Sequence, residues 1–258
     1  MRDERTIAYI QPTSGPPYYD DLTGDQLDTA KADEAMQKER NSLNEFKTYE
    51  VVPPPLAEAA WANEEAVIVK SKWVRILKAD GTGRTKARLV AQQVNYGEKM
   101  DTYAATASSV GARLLVALAG KRRRQGERWT LQIGDVSTAF LHAPLPPGRD
   151  YYVVPPPGVA PQGCLWKLHK ALYGLRESPR WFQEHLAKVA SAHGWVRLRA
   201  DPQLFLHEAS GSLLSVFADD LLLLVKDRDL QRLQRTLDTE MKIKWGEKIG
   251  EKWSRYLG

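Results

Sequence analysis

The stretch Ser215-Val216-Phe217-Ala218-Asp219-Asp220-Leu221-Leu222-Leu223-Leu224-Val225 sets two adjacent acids between two apolar runs. Neighbouring carboxylates repel each other, and partial burial makes them costly unless a cation or strong donors stand opposite. A divalent metal would supply that cation, whereas a solvent-exposed turn, where Asp is common, would need none. A third acid, Asp135, closes the stretch Trp129-Thr130-Leu131-Gln132-Ile133-Gly134-Asp135-Val136 and lies 84 positions before Asp219. Three carboxylates on adjacent strand ends offer the compact set of hard oxygens that two dications, about 3.5–4 Å apart, require. Such a metal pair can activate a 3′-hydroxyl and stabilise a leaving pyrophosphate, which is nucleotidyl transfer. Tyr18-Tyr19-Asp20-Asp21 also pairs two acids, but Pro and Gly flank it and no apolar run holds it, so it is set aside.

The elements that must position these acids are legible in outline. Both runs within 213–225 lack Gly and Pro and suit buried strands, so Asp219 and Asp220 fall where a hairpin turns. Residues 129–133 read as a strand ending at Asp135. Residues 73–78 and 85–91 read as strands of a basic hairpin around Ala79-Asp80-Gly81-Thr82-Gly83, since Asp-Gly is a strong turn signal. Gly81 and Gly83 belong to no phosphate-loop motif. Helical spacing over 27–46 aligns Ala32, Ala35, Met36, Glu39, Leu43 and Phe46 on one mostly apolar face, before the prolines at 53–55. Residues 111–124 read as a helix with Leu114, Leu115, Leu118 and Ala119 inward. Its terminal Lys121, Arg122, Arg123 and Arg124 suit the helix dipole, with Gly126 to end it; a nucleic-acid patch is the other reading. Ser178 as a cap and Pro179 in the first turn open a helix whose Phe182, Leu186, Val189 and Ala190 share a face before Gly194. Strands near 204–207 and 254–257 and a helix near 228–240 complete an α+β pattern without internal repeat. Residues 1–24, polar and rich in Pro and Gly, are expected to form a mobile arm, leaving 25–258 as the folded domain.

Composition bounds the function. At 258 residues the chain can bury a large core, and its net charge of +5 permits a polyanionic partner without requiring one. The single cysteine, Cys164, excludes an internal disulfide and a multi-cysteine zinc site. No signal-like or membrane-spanning apolar run is visible, so the expectation is an intracellular protein, cytoplasmic or nuclear, not secreted and without a membrane partner. An unrelated hydrolase finds no support: G-x-S-x-G and H-E-x-x-H are both missing from the sequence, and Cys164 sits in an apolar stretch.

Six strings stand in order along the chain: Ser71-Lys72-Trp73, Lys86-Ala87-Arg88-Leu89-Val90-Ala91, Asp135-Val136-Ser137-Thr138-Ala139-Phe140-Leu141, Lys170-Ala171-Leu172-Tyr173-Gly174-Leu175-Arg176, Ala200-Asp201-Pro202 and Phe217-Ala218-Asp219-Asp220. In this order the chain resembles the reverse transcriptase domain of copia-type retrotransposon polyproteins. The resemblance implies a right-hand polymerase, fingers and palm, with a mostly antiparallel palm sheet and packed helices. It implies catalysis by Asp135, Asp219 and Asp220, all three as ligands of two Mg2+ ions. It also implies RNA- or DNA-templated addition of deoxynucleoside triphosphates to a primer, and the remaining Pol segments as partners. Phe140 would then stand against the sugar of the incoming nucleotide and reject a 2′-hydroxyl, its other reading being a core phenylalanine. Lys86 and Arg88, on one face of their strand, would meet the triphosphate, and Tyr173 and Gly174 would form part of the wall beneath it. Phe217-Ala218 stand where the family commonly has Tyr and Val, and Arg176-Glu177 where it has Lys-Gln. Tyr256-Leu257-Gly258 resembles the start of the strand that grips the primer end, and the thumb-like and ribonuclease H regions into which the family continues are absent from this sequence. The alternative is a catalytically inactive remnant that binds nucleic acid.

Overall fold

A computed structural model describes residues 17–93 and 109–249. The chain order is α1 (Thr29–Glu45), β1 (Tyr49–Val52), α2 (Pro54–Ala62), β2 (Val67–Leu77), β3 (Thr85–Ala91), α3 (Ser109–Arg124), β4 (Trp129–Val136) and α4 (Ala139–His142). It continues with β5 (Tyr151–Val154), β6 (Leu165–Leu168), α5 (Ser178–Ala192), β7 (Trp195–Arg197), β8 (Leu204–His207), β9 (Ser212–Phe217), β10 (Asp220–Lys226), α6 (Leu230–Asp238) and β11 (Ile243–Lys248). Two sheets result. One has five strands in the order β1-β6-β5-β2-β3; the other has six in the order β11-β4-β10-β9-β8-β7. Every pairing in the six-stranded sheet is antiparallel. The α+β expectation holds, with helices on both faces of that sheet.

Strand β10 explains why so apolar a segment can end in acids. Leu221, Leu223 and Val225 face a core shared with α5 and α6, while Leu222 and Leu224 face α3 across Leu115, Leu131 and Leu213. A strand buried on both faces reads as an unbroken apolar run rather than an alternation. By the two-residue period Asp220 lies on the α3 side of the sheet.

Several boundaries differ from expectation. Strand β2 starts at Val67, since its first residues pair in parallel with β5 and only the later ones with β3. Leu114, expected inward, is exposed, while Leu115 and Ala119 are buried. Ser178 does not cap α5: its buried hydroxyl donates to the Leu172 carbonyl at 2.7 Å, and Glu177 takes the cap position. Residues 17–24, expected in a mobile arm, are held against β2. The Asp20 carboxylate accepts the Leu77 amide at 2.6 Å and Asp21 accepts the Arg75 amide at 2.7 Å. The acids set aside as a non-site thus serve as edge acceptors for β2. Residues 1–16 and the expected strand at 254–257 lie outside the described residues. Among the described residues no helix is long and apolar enough to cross a membrane.

Candidate active site

The ladder itself brings the acids together. Asp220 is the direct partner of Asp135 across the β10–β4 pair, so both carboxylates rise from one face of the sheet. Phe217 pairs with Asp220 on the other side, which leaves Ala218 and Asp219 as a two-residue turn. Ala218 has φ 51, in the left-handed region that a residue with a Cβ enters at a cost. The tip is fastened to β4 beyond the ladder, because the Val136 amide donates to the Asp219 carbonyl at 2.8 Å.

Electrostatics marks the acids as a cluster. The Asp135 carboxyl is raised from its ordinary value, first by lost hydration and then by Asp219, while Lys244, Lys86 and Arg88 pull it back. Asp220 is raised by lost hydration, then by Asp219 and Asp135. No cation among the described residues offsets the shift of Asp220, and a hard dication would supply the missing charge. Among the described residues no three acids, histidines or cysteines converge closely enough to hold an ion as they stand.

Strand β3 brings the cations. Lys86 and Arg88 alternate onto one face, and the Lys86 ammonium is lowered by lost hydration and by Arg88 while Asp219 and Asp135 oppose the shift. The two are not equivalent. The Arg88 guanidinium donates to Glu39 of α1 at 2.7 Å and lies 5.4 Å from the centre of the Tyr173 ring. Tyr173 meets Phe140 edge to face at 4.9 Å, and Phe140 reaches Phe182 of α5 at 6.3 Å. The end of β3 grips this wall: the Ala91 amide donates to the Tyr173 carbonyl at 2.7 Å. Gly174 has φ 86, and a Cβ there would lie 2.0 Å from the Ala91 carbonyl oxygen, so only glycine fits.

Two residues near the site escaped the sequence reading. Lys244 of β11 is the direct partner of Asp135, completing a row of Lys244, Asp135 and Asp220 across three strands. Its strand alternates weakly and sits at a sheet edge, so Ile243 and Trp245 flanking a lysine were its only signal. Glu39 did show a signal, an acid on an otherwise apolar helix face, but nothing in the sequence named Arg88 as its partner. His142 is buried, with its Nε2 3.1 Å from the Ser137 carbonyl and its ring against Phe46 at 4.6 Å, a structural position. Glu177 is half-buried and accepts the Tyr151 hydroxyl.

The family model described as reverse transcriptase (RNA-dependent DNA polymerase) matches residues 46–258. The retrovirus-related Pol polyprotein from transposon RE1 of Arabidopsis thaliana is 30% identical over 87% of this chain, which covers 15% of that protein. The corresponding polyprotein from transposon TNT 1-94 of Nicotiana tabacum is 29% identical over 76% of this chain and 14% of its own length. The chain therefore spans about a seventh of the curated relatives it matches. Among solved structures, prototype foamy virus protease-reverse transcriptase is similar over 81% of this chain and 22% of that chain, at 14% identity and TM-score 0.42. The chain belongs to the reverse transcriptase family, and its relatives are the Pol polyproteins of copia-type retrotransposons.

Proposed function

We propose that this chain carries the nucleotidyl-transfer site of an RNA-directed DNA polymerase, extending a primer on an RNA or DNA template with deoxynucleoside triphosphates. The observation that carries this is the pairing of Asp135 with Asp220 beside the Asp219 turn, with Lys86 near enough to feel the charges of Asp219 and Asp135. The donor set fits hard dications: all-oxygen, anionic and mutually destabilised. Asp135, Asp219 and Asp220 would hold two Mg2+ ions, which would supply a lowered pKa for the attacking hydroxyl and positive charge against the leaving pyrophosphate. The chain's own residues do the rest. The hairpin turn fixes the acids against β4, Lys86 offers fixed positive charge to the triphosphate, and Phe140 with Tyr173 walls the sugar side. Other segments of a Pol polyprotein are further partners under this reading.

Primer extension on an RNA template with magnesium tests it. Extension by the intact chain that Asp219→Asn abolishes is the expected result; extension indifferent to that substitution overturns the assignment. A second reading, a nucleic-acid-binding domain without chemistry, draws on the fact that the acids do not yet converge on an ion. It expects nucleic-acid affinity that falls with salt and ignores magnesium, together with no magnesium-dependent nucleotide binding.

A further inference from the structure

We propose that Glu39 is a positioning residue for nucleotide sugar selection, acting through Arg88 on the wall formed by Tyr173 and Phe140. This rests on the reading of Lys86, Phe140 and Tyr173 as nucleotide contacts. The Glu39 side chain is 1% exposed, in the middle of the face that α1 turns toward β3, and its Oε2 lies 2.7 Å from Arg88 Nη1. Burying a carboxylate is costly, and replacing a buried ion pair by well-packed apolar groups is often neutral or stabilising. Stability alone therefore gives little reason for an acid here, and what the pair does supply is geometry. A guanidinium is a planar fork whose orientation follows its partner. With one side taken by Glu39, the other lies over Tyr173 at 5.4 Å, and Tyr173 in turn meets Phe140 at 4.9 Å.

The chain of contacts runs from a buried acid to the proposed sugar gate in three steps. It also divides the two cations of β3. Among the described residues Lys86 makes no ion pair and remains available to phosphate, whereas Arg88 is held as a strut. A displacement of the Phe140 ring by a fraction of an ångström is enough to admit a 2′-hydroxyl, because rejection of that group is steric.

Equilibrium binding of dATP and of ATP to the intact chain, each with magnesium, tests the assignment, with thermal unfolding measured on every variant. Wild type is expected to prefer dATP, and Lys86→Ala to weaken both nucleotides together. Glu39→Gln keeps shape and removes the charge; Arg88→Lys keeps charge and removes the fork. Each is expected to lower the dATP-to-ATP preference by about tenfold, the scale of one charge-assisted hydrogen bond, while the protein stays folded. An unchanged preference in both variants, with wild type and Lys86→Ala behaving as expected, overturns the role of Glu39 alone. Wild type that binds neither nucleotide overturns the nucleotide-site reading itself and this inference with it.

Discussion

Asp135 and Asp220 stand in a state that suits a cation better than it suits the bare chain, because burial and Asp219 raise both and Asp135 further raises Asp220. Removing one charge should therefore stabilise the metal-free fold. Asp220→Asn is expected to raise its melting temperature slightly, a gain kept small by solvent screening of a half-exposed carboxylate, and to remove the stabilisation that added magnesium gives wild type. Melting curves with and without magnesium check both halves; a lower melting temperature would mean the acids are well solvated. Gly174 carries a different constraint. Gly174→Ala places a methyl 2.0 Å from a carbonyl oxygen at φ 86, and a loss of about 2–4 kcal/mol is expected in denaturant unfolding. At this scale the candidate acids, both cations and the aromatic were legible, because each lies in a short contiguous string. That Arg88 is already engaged was not legible, since its partner Glu39 lies 49 positions away and no local pattern links them.

The elements that were legible are those whose burial leaves a strong period. Helix α5 buries Phe182, Leu186, Val189 and Ala190 on one face as its spacing requires, and β10 is apolar throughout because both its faces are covered. Strands β1, β5, β6 and β7 have four residues or fewer, too short to show a period; β1 pairs with the distant β6 and β5 with the distant β2, while β7 pairs only with its neighbour β8. Strand β11 alternates between half-buried and exposed residues at the sheet edge, so its pattern is too weak to stand out. The basic end of α3 shows how an element can change the meaning of a charge run. The Arg122 guanidinium stacks on the Trp129 ring at 3.6 Å, and its burial lowers its pKa. The end of the helix closes through the Gly126 amide to the Arg123 carbonyl and the Glu127 amide to Arg122. Arg122→Ala should accordingly cost about 1–2 kcal/mol of stability through the lost cation–π contact. It should leave the salt dependence of nucleic-acid affinity unchanged, since a residue packed on an indole is not meeting phosphate. A titration of affinity against salt, beside an unfolding curve, separates the two roles.

At the scale of the whole molecule, the acids and the cations come from different sheets. Asp135, Asp219 and Asp220 sit on and beside strands of the six-stranded sheet, Lys86 and Arg88 on the last strand of the five-stranded one. Their relative placement can be fixed only if the two sheets share one core. They do: Leu89, Val153 and Trp166 of one sheet and Val136, Val216 and Leu223 of the other belong to a single buried cluster, with Leu141, Phe182 and Leu186 between them. Phe182, 1% exposed, is the residue of α5 that also meets Phe140. Phe182→Ala is expected to cost about 3–5 kcal/mol and to lower the unfolding transition of both sheets together. Far-ultraviolet circular dichroism follows the backbone of both sheets, and tryptophan fluorescence follows indoles on both, among them Trp73 and Trp166 on one and Trp129, Trp195 and Trp245 on the other. Coincident transitions by the two probes, in wild type and variant alike, are the result expected of one cooperative unit. Two separated transitions would mean that the sheets melt independently. The distance from Lys86 to the acids would then be set by something other than the core, and the strut between Glu39 and Arg88 would have to carry the alignment by itself.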